Sequence, residues 1–181
     1  MSLTPWQRVC QEFEVKNPWW TYRKDRTILP NGRPGEYHFV HVRGSSMILP
    51  VLPDGRLILV NQYRYLGNRE SLEFPCGSVK ENSSYEETAI EELSEETGYR
   101  SQSLHLAGQF NPYNGVTDEL CSVYIARGLT VVPSHHDETE EFEQVRLTPS
   151  EISGEIRGGR IWDGMTLAAW MLAGYLFGET K

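Results

Sequence analysis

The apolar positions of this 181-residue chain fall into two rhythms. Up to about residue 77 they come as short β-branched and aromatic runs separated by turn residues. Residues 12–43 read as extended pieces broken by Pro30-Asn31-Gly32 and Pro34-Gly35, and residues 36–43 predict a strand. Two further apolar runs, 47–52 and 56–63, are joined by Pro53-Asp54-Gly55, whose turn chemistry predicts a β-hairpin. Residues 71–77 form a short extended entry into the next segment. There the rhythm changes. Ser84-Tyr85-Glu86-Glu87 fits a capping box, as does Ser83 with Glu86. Ala89, Ile90 and Leu93 then supply one apolar helical face, and Gly98 supplies a left-handed stop. Beyond it, 104–110 and 119–126 predict strands around an Asn-Pro-Tyr-Asn-Gly loop, and 142–147 predicts another. A short helix is predicted to open at Pro149, and a longer one over 161–177. Strands on both sides of the helices, linked mostly by tight turns, predict an α+β fold rather than a doubly wound parallel sheet.

The helix predicted after Ser84 carries the chemistry. Six glutamates lie between Glu86 and Glu96, with no lysine or arginine in that interval. Helical spacing puts Glu92, Glu95 and Glu96 on one face, and each like-charge neighbour at that spacing costs roughly 0.2–0.5 kcal/mol. Glutamates in the last turn also oppose the helix dipole. A solvated structural helix would interleave basic residues. A cluster of bare carboxylates suits a hard divalent cation such as Mg²⁺, which takes oxygen ligands and is shared between carboxylates and substrate phosphates.

Composition narrows the rest. The length suits one domain with a real core. A net charge of −8 argues against a general nucleic-acid binder, which would need a basic stripe. An anionic small substrate stays open, because a bound cation reverses the local sign. The three widely spaced cysteines, Cys10, Cys76 and Cys121, fit neither a disulfide framework nor a zinc site, and a reducing cytoplasm is expected. No apolar run approaches the roughly 20 residues of a membrane span.

From Gly77 to Tyr99 the sequence resembles the Nudix box, G-x5-E-x7-R-E-U-x-E-E-x-G-U, where U is a bulky apolar residue. Gly77, Glu92, Leu93, Glu95, Glu96, Gly98 and Tyr99 fall on its fixed positions. Ser83 stands at its first Glu and Glu91 at its Arg, a residue thought to orient the glutamates in the family. The lead-in Gln62-Tyr63-Arg64 with Glu73-Phe74-Pro75-Cys76-Gly77 resembles that of ADP-ribose pyrophosphatases. So do Asn17-Pro18-Trp19-Trp20, Gly35-Glu36-Tyr37 and the loop from Asn114 to Glu119, where Asn114 replaces a proline.

The resemblance implies a Nudix α/β/α sandwich around a mixed sheet, residues 44–181. An N-terminal β extension, residues 1–43, would serve dimerisation and substrate contact. The implied reaction is Mg²⁺-dependent hydrolysis (Mn²⁺ as a substitute) of a nucleoside diphosphate sugar, foremost ADP-ribose, by a cytoplasmic homodimer. Implied metal ligands are Glu92, Glu95, Glu96 and the backbone carbonyl of Cys76. Glu138, then Glu140, are the candidates for the water-activating base, with Glu95 also counted as catalytic. Arg64 is a candidate phosphate or base contact, against a plain surface ion pair. Glu73 is a candidate metal or ribose contact, against a structural hydrogen bond. Trp20, with Trp19 and Tyr22, could stack on a nucleobase, although aromatic residues more often serve a core or interface. His135-His136 are discounted as a metal pair, since adjacent residues in a strand point apart. Two alternatives stand beside this reading. One is a catalytically weakened nucleotide-sugar sensor, suggested by Ser83 and Glu91. The other is a hydrolase of GDP-mannose or another nucleoside diphosphate derivative.

Overall fold

The computed structural model describes residues 3–132 and 142–177. In chain order the elements are β1 (Gln7–Lys16), β2 (Thr21–Ile28), β3 (Pro34–His41), β4 (Ser45–Pro50), β5 (Leu57–Arg64), β6 (Arg69–Glu73), β7 (Cys76–Ser78), α1 (Tyr85–Thr97), β8 (Tyr99–Arg100), β9 (Ser103–Phe110), β10 (Cys121–Arg127), β11 (Thr130–Val131), β12 (Glu143–Leu147), α2 (Pro149–Gly158) and α3 (Gly164–Ala173). The chain divides into two compact units, Met1–Arg43 with Asn111–Glu119, and Gly44–Phe110 with Leu120–Lys181.

The first unit is an antiparallel meander, β1-β2-β3. Ion pairs lace it: Arg8 to Asp25 (2.6 Å), Arg26 to Glu12 (2.6 Å), and Lys24 to both Glu12 (3.0 Å) and Glu36 (2.9 Å). The loop 111–119 joins this unit through the Val40 N–H, which donates to the Val116 carbonyl (2.8 Å), and through His41 beside Asp118 (2.7 Å). An open cavity of about 340 Å³ lies here, lined by Tyr37, Phe39, Asn111, Asn114, Thr117 and Asp118.

The second unit holds a mixed sheet, β7-β4-β10-β9, in which β4 and β10 run parallel, and an antiparallel sheet, β12-β5-β6. All six residues of β4 are buried, as are Cys121–Ala126 of β10, because both faces of these strands are covered. Side chains alternate between the two sides. Met47, Leu49, Cys121, Val123 and Ile125 join a core with Leu57, Leu59, Leu72, Phe74, and Ala169 and Ala173 of α3. Ile48, Tyr124 and Ala126 join Ala89 and Leu93 of α1 in a second cluster. The mixed sheet is thus sandwiched between helices.

The predicted hairpin over residues 47–63 forms only at its turn. The Leu52 N–H donates to the Arg56 carbonyl (2.8 Å), and Val51 and Leu57 make an isolated bridge. Past that point the strands part into different sheets, β4 beside β7 and β10, β5 beside β6 and β12. Two-sided burial, not pairing, explains the continuous apolar runs. The last predicted helix begins at Gly164, after the Asp163 side chain caps it by accepting from the Thr166 N–H (2.7 Å), and a single 3₁₀ turn, Gly174–Phe177, follows it.

Candidate active site

Local sequence fixes α1 at both ends. Ser84 Oγ accepts from the Glu87 N–H (3.1 Å), while the Glu87 carboxylate accepts from the Ser84 N–H (2.8 Å), completing the capping box. These bonds hold the Glu87 carboxyl below its usual pKa, the backbone N–H more than the hydroxyl. At the other end Gly98 takes φ 68°, where a side chain would be strained, and its N–H donates to the Ser94 carbonyl. Tertiary bonds then lock the helix in place. Ser46 Oγ of β4 donates to the Tyr85 carbonyl (2.6 Å), and Gln144 Nε2 of β12 donates to the carbonyls of Thr97 (2.9 Å) and Glu96 (3.3 Å).

The apolar face differs from the predicted one. Ala89 and Leu93 are buried, but Ile90 is 45% exposed. Glu96 takes the third place on the inward side, at only 7% exposure, so one carboxylate of the cluster sits with the core-facing residues rather than opposite them. Burying a carboxylate is costly unless it is compensated, which marks Glu96 as more than a solvated charge. Glu92 is partly buried, and Glu95 is exposed.

Gly77 shows where Glu92 lies. A Cβ built on Gly77 would stand 1.7 Å from Glu92 Oε1 and 2.0 Å from its Cδ. The carboxylate therefore rests directly on the main chain of β7, in space that only glycine leaves open. Glu96 is one turn further along the same helix face. Both charges act on Cys76: its thiol is raised well above its usual pKa by contact with Cys121, by burial, and then by the charges of Glu96 and Glu92. The structure thus gathers Glu92, Glu96 and the Cys76–Gly77 main chain.

Among the described residues no three His, Cys, Asp or Glu side chains form a ready-made metal cage. Two carboxylates, one of them seated on the β7 main chain, nonetheless fit Mg²⁺, which keeps several waters and binds through one or two carboxylates plus substrate phosphates. The occupied Gly77 cradle and the buried Glu96 are the features that agree with this ion.

Glu91, where the box has Arg, pairs with Lys80 Nζ (3.1 Å). The Lys80 ammonium is held charged first by that bond and then by the charges of Glu95, Glu91 and Glu92. A cation is thus supplied from the loop before α1 instead of from the helix. The sequence reading missed Lys80, because it counted basic residues only between Glu86 and Glu96.

Arg64 and Glu73 meet in a two-point ion pair. Arg64 Nε donates to Glu73 Oε1 (2.8 Å) and Nη2 donates to Oε2, which Gln62 Nε2 also approaches (3.4 Å). Trp20 and Trp19 belong to the first unit; both are exposed, and their backbone N–H groups donate to Asn17 Oδ1 at 2.9 Å. Tyr22 bonds His38 (2.6 Å) and packs against Phe13. Glu138, Glu140 and His135-His136 lie outside the described residues.

Known proteins place this arrangement in context. The chain is 29% identical over 147 residues to the methanol dehydrogenase activator of Bacillus methanolicus, covering 80% of each chain. It is 31% identical over 143 residues to the ADP-ribose pyrophosphatase of Bacillus subtilis, covering 78% of this chain and 77% of that one. The fold superimposes on a crystal structure of an ADP compounds hydrolase with a TM-score of 0.83 at 21% identity, over 97% of this chain and 96% of that one. The NUDIX domain model matches residues 41–167, a span containing the capped acidic helix, the Gly77 cradle and every strand of the second unit. With box and fold in agreement, the chain belongs to the NUDIX domain family.

Proposed function

We propose that this protein is a Nudix pyrophosphohydrolase that cleaves nucleoside diphosphate sugars with Mg²⁺, ADP-ribose foremost, giving AMP and ribose 5-phosphate. The observation that carries this is the seating of Glu92 on Gly77 with Glu96 buried one turn away. ADP-ribose pyrophosphatase is the printed activity of a relative at 31% identity, which supports the substrate class.

Glu92 and Glu96, with the Cys76 carbonyl, would hold the metal. Bound Mg²⁺ supplies neutralisation of the charge that develops on the pyrophosphate oxygens. Water forms the new P–O bond, the anhydride P–O bond breaks, and a carboxylate accepts the water's proton. Glu138 and then Glu140 are proposed for that base, which needs to lie within hydrogen-bond reach of the attacking water. Glu95, exposed on the same helix, is assigned the outer edge of the metal site. Mn²⁺, with similar ligand preferences, would substitute.

The first unit is assigned a substrate contact and the homodimer contact. The aromatic and amide lining of its cavity suits a planar base or a ribose. Trp6, Val9, Phe13, Trp19 and Trp20 are exposed apolar side chains of the kind that dimer contacts cover. The three cysteines are free, and no described helix is long and apolar enough to cross a membrane. A cytoplasmic setting is proposed on the free thiols alone.

The test is hydrolysis of a panel comprising ADP-ribose, GDP-mannose and a dinucleoside polyphosphate, with and without Mg²⁺. ADP-ribose turnover that needs the metal, and that falls by orders of magnitude in Glu96→Gln while the fold persists, is expected. Ser83 and Glu91 favour one rival, a nucleotide-sugar sensor. Tight calorimetric binding of ADP-ribose with no product would select it.

A further inference from the structure

We infer that Glu73 is a positioning residue: it touches neither metal nor ribose, but holds the Arg64 guanidinium edge-on so that its outer fork grips a substrate phosphate. The inference rests on the pyrophosphohydrolase reading above.

The strand register builds the pair. Val60, Gln62 and Arg64 alternate onto one face of β5, and Glu73, directly opposite Val60 on β6, shares that face. Glu73 is 1% exposed, and the Arg64 side chain is 47% exposed. One partner is therefore anchored in the interior while the other reaches out. A guanidinium has five N–H donors in a rigid plane. The bonds to Glu73 use Nε–H and one Nη2–H. The two Nη1 hydrogens and the second Nη2 hydrogen remain on the opposite edge, and that edge makes no hydrogen bond among the described residues. It is the fork that matches two oxygens of a phosphate.

Direct roles for Glu73 fit less well. Both of its oxygens already accept from Arg64, with Gln62 on the second. Stability alone would not select the pair either, since an apolar residue in place of the buried Glu73 would avoid the cost of desolvating its carboxylate. Location completes the argument. Glu73, to which the guanidinium is bonded, ends β6 only three residues before Cys76 opens β7. The guanidinium therefore sits near the strand on which Glu92 rests.

Initial rates with ADP-ribose and Mg²⁺, together with thermal melts, on wild type, Glu73→Gln, Arg64→Gln and the double variant test the inference. Glu73→Gln keeps one acceptor but loses the charge and the two-point grip. It should raise KM about tenfold, equivalent to about 1.4 kcal/mol, with kcat within about threefold. The double variant should be no worse than Arg64→Gln, because Glu73 acts only through the arginine. A Glu73→Gln enzyme with an altered melt but wild-type KM would make the pair purely structural and overturn the inference. An equal loss from Glu73→Gln in both backgrounds would do the same, by giving Glu73 a direct role. If Glu73→Gln does not fold, Glu73→Asp serves, with a KM between wild type and Arg64→Gln expected and an unchanged KM contrary. Wild-type kinetics for Arg64→Gln defeats this inference alone, whereas a wild-type enzyme inert on every nucleoside diphosphate sugar defeats the functional reading beneath it.

Discussion

Gly77→Ala separates activity from stability on geometric grounds. Gly77 does not have a positive φ, so alanine meets no backbone strain there. The added methyl would lie 1.7 Å from Glu92 Oε1, whereas real Cβ contacts are not found under 3.0 Å. Glu92 must therefore retreat by at least 1.3 Å, the difference between those distances. The clashing atoms are the far end of a flexible side chain with solvent beside it, so a rotamer change relieves them at a cost of about 1 kcal/mol. Catalysis is less forgiving, because a misplacement of about 1 Å can cost around 10²-fold. We expect kcat/KM for ADP-ribose to drop about a hundredfold, Mg²⁺ affinity by calorimetry to weaken, and the thermal midpoint to move by only a few degrees. A Gly77→Ala enzyme that matches wild type in turnover and Mg²⁺ affinity would show that Glu92 need not rest on β7, and the assignment of that carboxylate would be wrong.

The remaining predictions concern the capped ends of α1 and α2. Ser84→Ala removes the side-chain half of the α1 capping box and should cost about 1 kcal/mol, read by urea unfolding; an unchanged midpoint would contradict the cap. Glu87 and Glu151 are both held below the usual carboxyl pKa, each first by the backbone N–H of its N-cap residue and then by that residue's hydroxyl. A depressed folded-state value means that their contribution is complete above the unfolded glutamate pKa of about 4.3 and disappears as the pH falls through the lowered one. The stability gap between wild type and a Glu87→Gln/Glu151→Gln variant should therefore close on acidification below about pH 4.3. A gap that widens there would reverse the sign of the argument.

What the sequence disclosed divides by range. The bounds of α1 were legible because capping is local: Ser84, Glu87 and Gly98 act within four residues of the bonds they make. The pairing of β4 and β5 was not, since a good turn at Pro53-Asp54-Gly55 cannot reveal that two strands buried on both faces will join different sheets. The inward face of α1 was misread at Ile90 and Glu96, because periodicity ranks apolar residues inside and takes no account of a carboxylate placed there for chemistry. Lys80 and the Arg64–Glu73 pair were hidden for another reason. Their partners lie 11 and 9 residues away, at distances set by loop path and strand register rather than by spacing along one element.

The central claim is that Glu92 and Glu96 converge on a cation at the main chain of β7. Crystals of Glu96→Gln and wild type soaked with Mn²⁺ and a non-hydrolysable, methylene-bridged analogue of ADP-ribose test it most directly through the anomalous signal of the metal. The account predicts, in the wild type, a peak within about 2.0–2.3 Å of carboxylate oxygens of Glu92 and Glu96, touching the bridged phosphates and weakened in the variant. A peak elsewhere, or one indifferent to Glu96, would contradict it.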